Sequence, residues 1–252
     1  GIRDDLVTGV QTCALPIYLS TLKHLPLTMI TIQSFCFSAF QENTYVLYNE
    51  FNNAIIIDPG CYTRIEEKTL FDFISKKNLK PQLLLNTHCH LDHVFGNNIV
   101  SETYGLSAQI HPNEKVVLDR LSEAAAKWGA PTEAYRGPIQ YIQEDEIIRL
   151  DEDEFKVLLT PGHSPGSVCF YNSKQDFIIG GDLIFKDGVG RTDLPGANPN
   201  DLIKSICEKL FPLPDSLCIY AGHGPQTTWG REKLYNPYIK YISSQASAPK
   251  DS

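Results

Sequence analysis

Thr87-His88-Cys89-His90-Leu91-Asp92-His93 follows closely on the apolar run Leu83-Leu84-Leu85. Three imidazoles and a carboxylate therefore crowd together at the end of a strand-like segment. Histidine is the commonest metal-binding side chain, and Asp adds a hard oxygen to the nitrogens. In extended chain, residues two apart share a face, so His88 and His90 can reach one ion. If the chain then coils into a helix, Asp92 and His93 project from its first turn toward a different point. Packing gives no reason for three imidazoles at this spacing. The segment reads as half of a site for two metals, and the missing ligands have to come from elsewhere in the chain.

Three later segments share one local form, an apolar strand followed by a polar ligand type in a glycine-marked turn. Thr160-Pro161-Gly162-His163-Ser164-Pro165-Gly166 holds a histidine in a rigid loop. Gly180-Gly181-Asp182 follows Phe177-Ile178-Ile179, and Ala221-Gly222-His223-Gly224 follows strand 217–220. Ala54-Ile55-Ile56-Ile57-Asp58-Pro59-Gly60 has the same form earlier. Catalytic groups favour strand-end loops on a rigid scaffold, and glycine lets backbone approach an ion closely. Taken singly, each of these residues is more often an ordinary turn residue; their repetition in order gives them weight. Of the remaining histidines, His111 precedes Pro112 and reads as structural, and His24 lies in an amino-terminal stretch that reads as foreign.

The rest of the chain is punctuated clearly. Strands are predicted at 30–35, 45–48 and 54–57, followed by an amphipathic helix at 64–78. Strand 82–86 delivers the histidine cluster, and a helix over 92–104 ends at Gly105. A short strand at 108–110, a helix at 113–128 and a Pro/Gly-punctuated loop at 129–143 come next. Strands at 147–150, 155–159, 167–171 and 177–179 then dominate. A Gly/Pro-rich loop at 187–198 precedes a helix at 199–210, with Asn200 as its cap, before strand 217–220, a short helical tail and a frayed end. Two β-rich sections, each followed by helices, predict two sheets face to face with helices outside. That is an α/β fold, a four-layer αββα sandwich in a single domain over 29–252.

Residues 1–28 stand apart. Asp4 and Asp5 occupy the place of a signal peptide's positive region, and Pro16 interrupts the only apolar stretch. Val7–Ile17 reads VTGVQTCALPI, which resembles a common sequencing adapter translated as codons. Met29 is the chain's only methionine and the expected native start, with 1–28 a non-native extension. The net charge of -8 argues against nucleic-acid binding, and no apolar run is long enough for a membrane helix. The 7 scattered cysteines contain no CxxC pair, which fits a reducing, cytoplasmic setting. Cys89, on the opposite face from its histidine neighbours, reads as packing.

The pattern HxHxDH, followed in order by His, Asp and His at strand ends, resembles the metallo-β-lactamase superfamily over nearly all of 29–235. That resemblance implies two divalent metal ions. His88, His90 and His163 would hold one, Asp92, His93 and His223 the other, and Asp182 would bridge both, with Asp58 orienting the ligand loop behind them. Zinc is the expected metal, and thiolate-free His/Asp sites also suit iron or manganese. Gly188-Val189-Gly190-Arg191-Thr192-Asp193-Leu194-Pro195-Gly196 and the tail GHGPQTTWGREKLYNPY at 222–238 look like the short glyoxalase II-like (hydroxyacylglutathione hydrolase-like) enzymes. The implied activity is hydrolysis of S-D-lactoylglutathione or a similar small thioester, with Asp92 and Asp182 catalytic. Arg191 is a candidate grip for a substrate carboxylate, with a loop salt bridge to Asp193 as the equal alternative. Full-length glyoxalase II has a helical carboxy-terminal domain that supplies glutathione-binding basic residues, whereas about thirty residues follow His223 here. The competing readings are a mononuclear-iron persulfide dioxygenase, which shares the Gly-Arg-Thr-Asp loop, and a nuclease or lactonase. A small thioester is the expected partner, with no nucleic acid and no membrane; no motif addresses oligomeric state.

Overall fold

The computed structural model describes residues 29–246, so the readings of 1–28 and of the last residues fall outside the described part. In chain order the first half contains β1 (Thr31–Phe37), β2 (Glu42–Tyr48), β3 (Asn53–Ile57), α1 (Arg64–Lys76), β4 (Lys80–Leu85), α2 (Leu91–Val94), α3 (Asn97–Tyr104), β5 (Ala108–Ile110), α4 (Lys115–Leu118), α5 (Leu121–Trp128) and β6 (Ile139–Tyr141). These six strands form one sheet in the order β1-β2-β3-β4-β5-β6. The first three are antiparallel and the rest parallel.

The second half contains β7 (Ile147–Leu150), β8 (Asp153–Leu159), β9 (Val168–Asn172), β10 (Phe177–Gly181), the small hairpin β11 (Ile184–Phe185) and β12 (Gly188–Val189), α6 (Pro199–Ser205), β13 (Cys218–Ala221), β14 (Thr227–Thr228), α7 (Trp229–Tyr235) and α8 (Pro237–Ala246). Its main sheet runs β14-β13-β10-β9-β8-β7.

The layers follow from period-two alternation within apolar runs. In β3, Ile55 and Ile57 point into the space between the sheets, where they meet Phe155, Val157, Phe170 and Ile179 of the second sheet. Their neighbours Ala54 and Ile56 point outward against Leu70 and Ile74 of α1 and Val100 of α3. In β10, Phe177 and Ile179 face inward. Ile178 faces Leu202 of α6 and Trp229 of α7. Strands buried on both faces read as continuous apolar runs, which is why they were visible in the sequence. The result is the expected four-layer αββα sandwich. No helix among the described residues is long and apolar enough to cross a membrane.

Several local expectations need correction. The helix expected over 92–104 is two helices broken at Gly96. A Cβ there would lie 2.5 Å from Cys61 Sγ and 2.8 Å from the Pro59 carbonyl, which accepts the Gly96 N–H. The helix expected over 113–128 is a 3₁₀ turn followed by α4 and α5, with a break at Asp119-Arg120. The supposed loop 129–143 contains edge strand β6. Helix 199–210 turns into a π-helix after Ser205, and its cap is Asn198 rather than Asn200. The Asn198 side chain accepts from the Asn200 and Asp201 N–H groups.

Candidate metal centre

The site gathers at one edge of the sandwich, where the carboxy-terminal ends of β3, β4, β8, β10 and β13 deliver Asp58, His88–His93, His163, Asp182 and His223 in turn. Residues 86–90 form an extended loop rather than a strand, and His90 is the N-terminal flank of α2 with φ -64° and ψ 155°. Helix α2 turns Asp92 toward His223, 3.2 Å away, but the His93 ring stays 4.1 Å from that of His88, nearer than His90's at 4.8 Å, so the divergence expected from the sequence is incomplete at His93. His111 serves as a cap, accepting the Asn113 N–H, and Cys89 is fully buried among Leu91, Ile110 and Leu121.

Two donor groups result. The ligand-type atoms of His88, His90 and His163 lie within 4.8 Å of one another, as do those of Asp92, His93 and His223. Nδ1 of His90 is 2.8 Å from Nε2 of His163. Asp182 stands between the groups. Its Oδ2 is 3.3 Å from His163 Nε2 and 3.6 Å from His223 Nε2, and its Oδ1 is 3.5 Å from His93 Nε2. His223 Nε2 also lies 3.2 Å from Asp92 Oδ2.

The other nitrogen of each of four imidazoles is tied to the protein. His163 Nδ1 is 2.8 Å from the Arg191 carbonyl, and His223 Nδ1 is 3.0 Å from that of Phe40. His93 Nδ1 is 3.1 Å from Asp58, and His88 Nδ1 is 3.1 Å from the Thr87 hydroxyl. Partners of this kind fix the ring orientation, so that a deprotonated Nε2 aims its lone pair at the cluster. A third grouping, Asp58 with His88 and His93, also lies close together. The Asp58 oxygens, however, are taken up by Thr87 and by His93 Nδ1, which is the arrangement an orienting group would have.

Divalent metal fits this donor set. His88 Nε2, His93 Nε2 and Asp182 Oδ1 are buried without a hydrogen-bond partner among the described residues. Buried polar atoms are nearly always paired, so orphans supplied by both donor groups and by the Asp182 between them are the donors a cation would satisfy. Gly222 completes the cradle: a Cβ there would sit 2.1 Å from Asp182 Oδ1. Electrostatics divides the two groups. Burial, reinforced by neighbouring imidazoles, pushes His88 well below the usual histidine range and His90 down to about 3. Burial lowers His163 as well. Burial opposes charge on His93 and His223 too, but the Asp182 and Asp92 carboxylates outweigh it and raise both.

Sequence reasoning missed two buried carboxylates. Glu114, at the end of the 3₁₀ turn before α4, accepts the Cys89 N–H at 2.7 Å, the Ser164 hydroxyl at 2.6 Å and the Gly166 N–H at 2.7 Å. It thereby ties the His88–His90 loop to the His163 loop, and burial raises its carboxyl. Glu42 is fully buried, accepts from Thr44, and lies 3.9 Å from His93 Nδ1. Neither carries a sequence signal, since lone glutamates in polar surroundings look like solvated surface. Arg191 grips Asp193 with two hydrogen bonds of 2.6 and 2.7 Å, the loop salt bridge foreseen as the alternative.

Two His/Asp donor groups sharing one aspartate, at the edge of an αββα sandwich, define a protein of the metallo-hydrolase class. Residues 38–223 match the metallo-beta-lactamase superfamily, and the chain belongs to that family. It is 37% identical to the hydroxyacylglutathione hydrolase GloC of Haemophilus influenzae over 204 residues, 80% of this chain and 94% of that protein. Among solved structures, the BLEG-1 B3 metallo-beta-lactamase superposes with a TM-score of 0.77 at 32% identity, covering 83% of this chain and 99% of the other. TTHA1623, solved in a di-iron-bound form, gives 0.74 at 34% identity, covering 82% and 99%.

Proposed function

We propose that this chain is a binuclear metal-dependent thioesterase of the hydroxyacylglutathione hydrolase type, cleaving S-D-lactoylglutathione or a similar small thioester. The observation that carries the reading is Asp182 standing between two donor groups that share the floor of one cavity. The likeness to GloC along nearly its whole length supports the substrate class.

His88, His90 and His163 would hold one divalent ion, and Asp92, His93 and His223 a second, with Asp182 between them. Zinc is the first candidate, and the di-iron neighbour makes iron the alternative. Bound there, such ions supply Lewis acidity that lowers the pKa of water toward about 7 and polarises a carbonyl oxygen. The chain's own part is orientation. Tied at Nδ1, His88, His93, His163 and His223 present unprotonated Nε2 atoms. The carboxylates of Asp92 and Asp182 steer the attacking water's proton at their Oδ2 atoms, which both flank His223 Nε2. A thiol pKa near 8.5 makes a thiolate a good leaving group, so no strong general acid is needed on the departing side. The free cysteines among the described residues and a thiol-based substrate fit a cytoplasmic setting.

The test is anaerobic assay of the metal-loaded protein with S-D-lactoylglutathione, alongside metal analysis. Thioester loss without oxygen, abolished in Asp182→Ala, is the expected result. Oxygen uptake with glutathione persulfide and no thioester loss would replace this reading with that of a mononuclear-iron dioxygenase.

A further inference from the structure

The donor groups open into a cavity of about 740 Å³ whose composition is uneven. Its floor is polar, with His90, Asp92, His163, Asp182 and His223. One wall comes from the α4–α5 segment, where Val116, Val117, Ala124 and Trp128 line the space. The Phe40 ring joins this wall, edge-to-face with Trp128 at 6.3 Å and 81°. Since the Phe40 carbonyl also holds His223 Nδ1, the apolar wall and the metal-facing imidazole are built on the same residue. Val116 and Trp128 are 49% and 48% exposed, apolar surface left open to water unless something covers it.

Charge on the same segment is also uneven. Arg120 and Lys127 line the cavity, and neither side chain is in an ion pair among the described residues. Arg191, by contrast, is committed to Asp193. Glu123 is the one acid of the segment that lines the space. Two uncommitted cations against one carboxylate make the segment net basic in a chain of net charge -8.

We propose that the α4–α5 segment is the substrate-recognition element. It selects thioesters that join an apolar acyl group of several carbons to an anionic thiol. The acyl group lies on the Phe40–Trp128 wall and the thiol's carboxylates meet Arg120 and Lys127. The inference rests on the thioesterase reading and narrows it away from a small hydroxyacyl group. Water adds across the C–S bond: the new C–O bond forms as the C–S bond breaks, one proton of the water goes to the departing thiolate to give the thiol, and the other is released to solvent as the acyl product becomes a carboxylate.

Binding can be read without turnover, because the chain has only two tryptophans and the other, Trp229, is fully buried. Titration of the metal-loaded protein with S-methyl-, S-butyl- and S-hexylglutathione, non-hydrolysable thioethers, should change Trp128 fluorescence. Affinity should rise with chain length by up to about 4-fold per methylene. In parallel, kcat/KM should climb from acetyl to butyryl to hexanoyl glutathione. Trp128→Ala should lower the hexanoyl value more than the acetyl value. The double variant Arg120→Ala/Lys127→Ala should lower turnover of glutathione thioesters about 10-fold more than that of the matching thioesters of neutral N-acetylcysteamine. A flat or falling acyl series, or an equal loss on charged and neutral thiols, overturns this assignment while leaving thioester hydrolysis standing. Failure of the wild-type protein to cleave any of these thioesters removes the thioesterase reading itself.

Discussion

Asp58 Oδ2 lies 2.5 Å from Thr87 Oγ1, while Asp58 Oδ1 accepts the Thr87 backbone N–H at 2.7 Å. With its proton donated to Asp58, the Thr87 hydroxyl is left to accept from His88 Nδ1. The same Oδ2 faces His93 Nδ1 at 3.1 Å. One carboxylate therefore sets the tautomer of an imidazole in each donor group. Asp58 adopts a left-handed φ of 48° to do so, an uncommon conformation just before a proline.

Replacing Asp58 by Asn turns one acceptor into a donor and should weaken metal binding at both groups by about 10–100-fold. Far-UV circular dichroism should be unchanged. Competition titration against a chromophoric chelator checks this, and wild-type affinity in the variant would remove Asp58 from the orienting role.

Glu114 should respond to an equally small change. Its carboxylate accepts three donors, two of them backbone N–H groups that cannot turn away. Glu114→Gln keeps the volume but aims an amide N–H₂ at one of these donors. An unsatisfied buried pair of this kind costs about 1–3 kcal/mol. The expected result is a lower Tm in thermal denaturation and weaker metal binding at the His88/His90/His163 group, since that group spans both tied loops. A Tm and an affinity equal to wild type would show the clamp to be dispensable.

Gly222 and Gly224 make a matched pair. A Cβ on Gly222 would lie 2.1 Å from Asp182 Oδ1 and 2.8 Å from His93 Cε1, whereas one on Gly224 meets nothing within 4 Å. Gly222→Ala should displace Asp182 and lower kcat/KM by about 100-fold, the scale of a misplacement near 1 Å at a reacting centre. Gly224→Ala should lose stability through its φ of +73° yet keep its metal content. Metal stoichiometry by mass spectrometry separates the two, and equal stoichiometry in both would count against the cradle at Gly222.

These residues also mark where sequence reading stops. Strands such as Ile55-Ile56-Ile57 and Phe177-Ile178-Ile179 were legible because both faces are buried, leaving runs that only a covered sheet explains. His88–His93, His163, Asp182 and His223 were legible because polar residues at the ends of such runs have no packing role. Glu114 was not, because its burial depends on loops 50 and 52 residues away. The break at Gly96 depends on Pro59 and Cys61, which no local pattern encodes. Strand β6, short and half-exposed at the sheet edge, shows no alternation to find. The α4–α5 wall escaped notice because Val116 and Trp128 look like ordinary helix residues until the cavity beside them is seen.

The contrast between the donor groups bears on pH. In the metal-free chain His88, His90 and His163 are held below the usual range, so they are neutral near pH 7 and a cation can bind them without displacing protons. His93 and His223 are raised. Stability from their carboxylate contacts is therefore present below the unfolded histidine pKa of about 6.5 and lost as pH rises through the folded value. Metal entering the Asp92/His93/His223 group must displace those protons. Calorimetric titration in buffers of different ionisation enthalpy should show proton release with the second binding event only, and an affinity for that event that climbs with pH. At about 100-fold excess over Kd, one metal adds about 2.7 kcal/mol, or roughly 5–11 °C in Tm for a chain of this size. Chelation should remove that gain, and the gap between loaded and metal-free protein should widen as pH rises, because the metal-free form loses its imidazolium–carboxylate contacts while the loaded form keeps its ligands. A gap that stays constant or narrows with rising pH would mean that metal entry displaces no protons from His93 and His223.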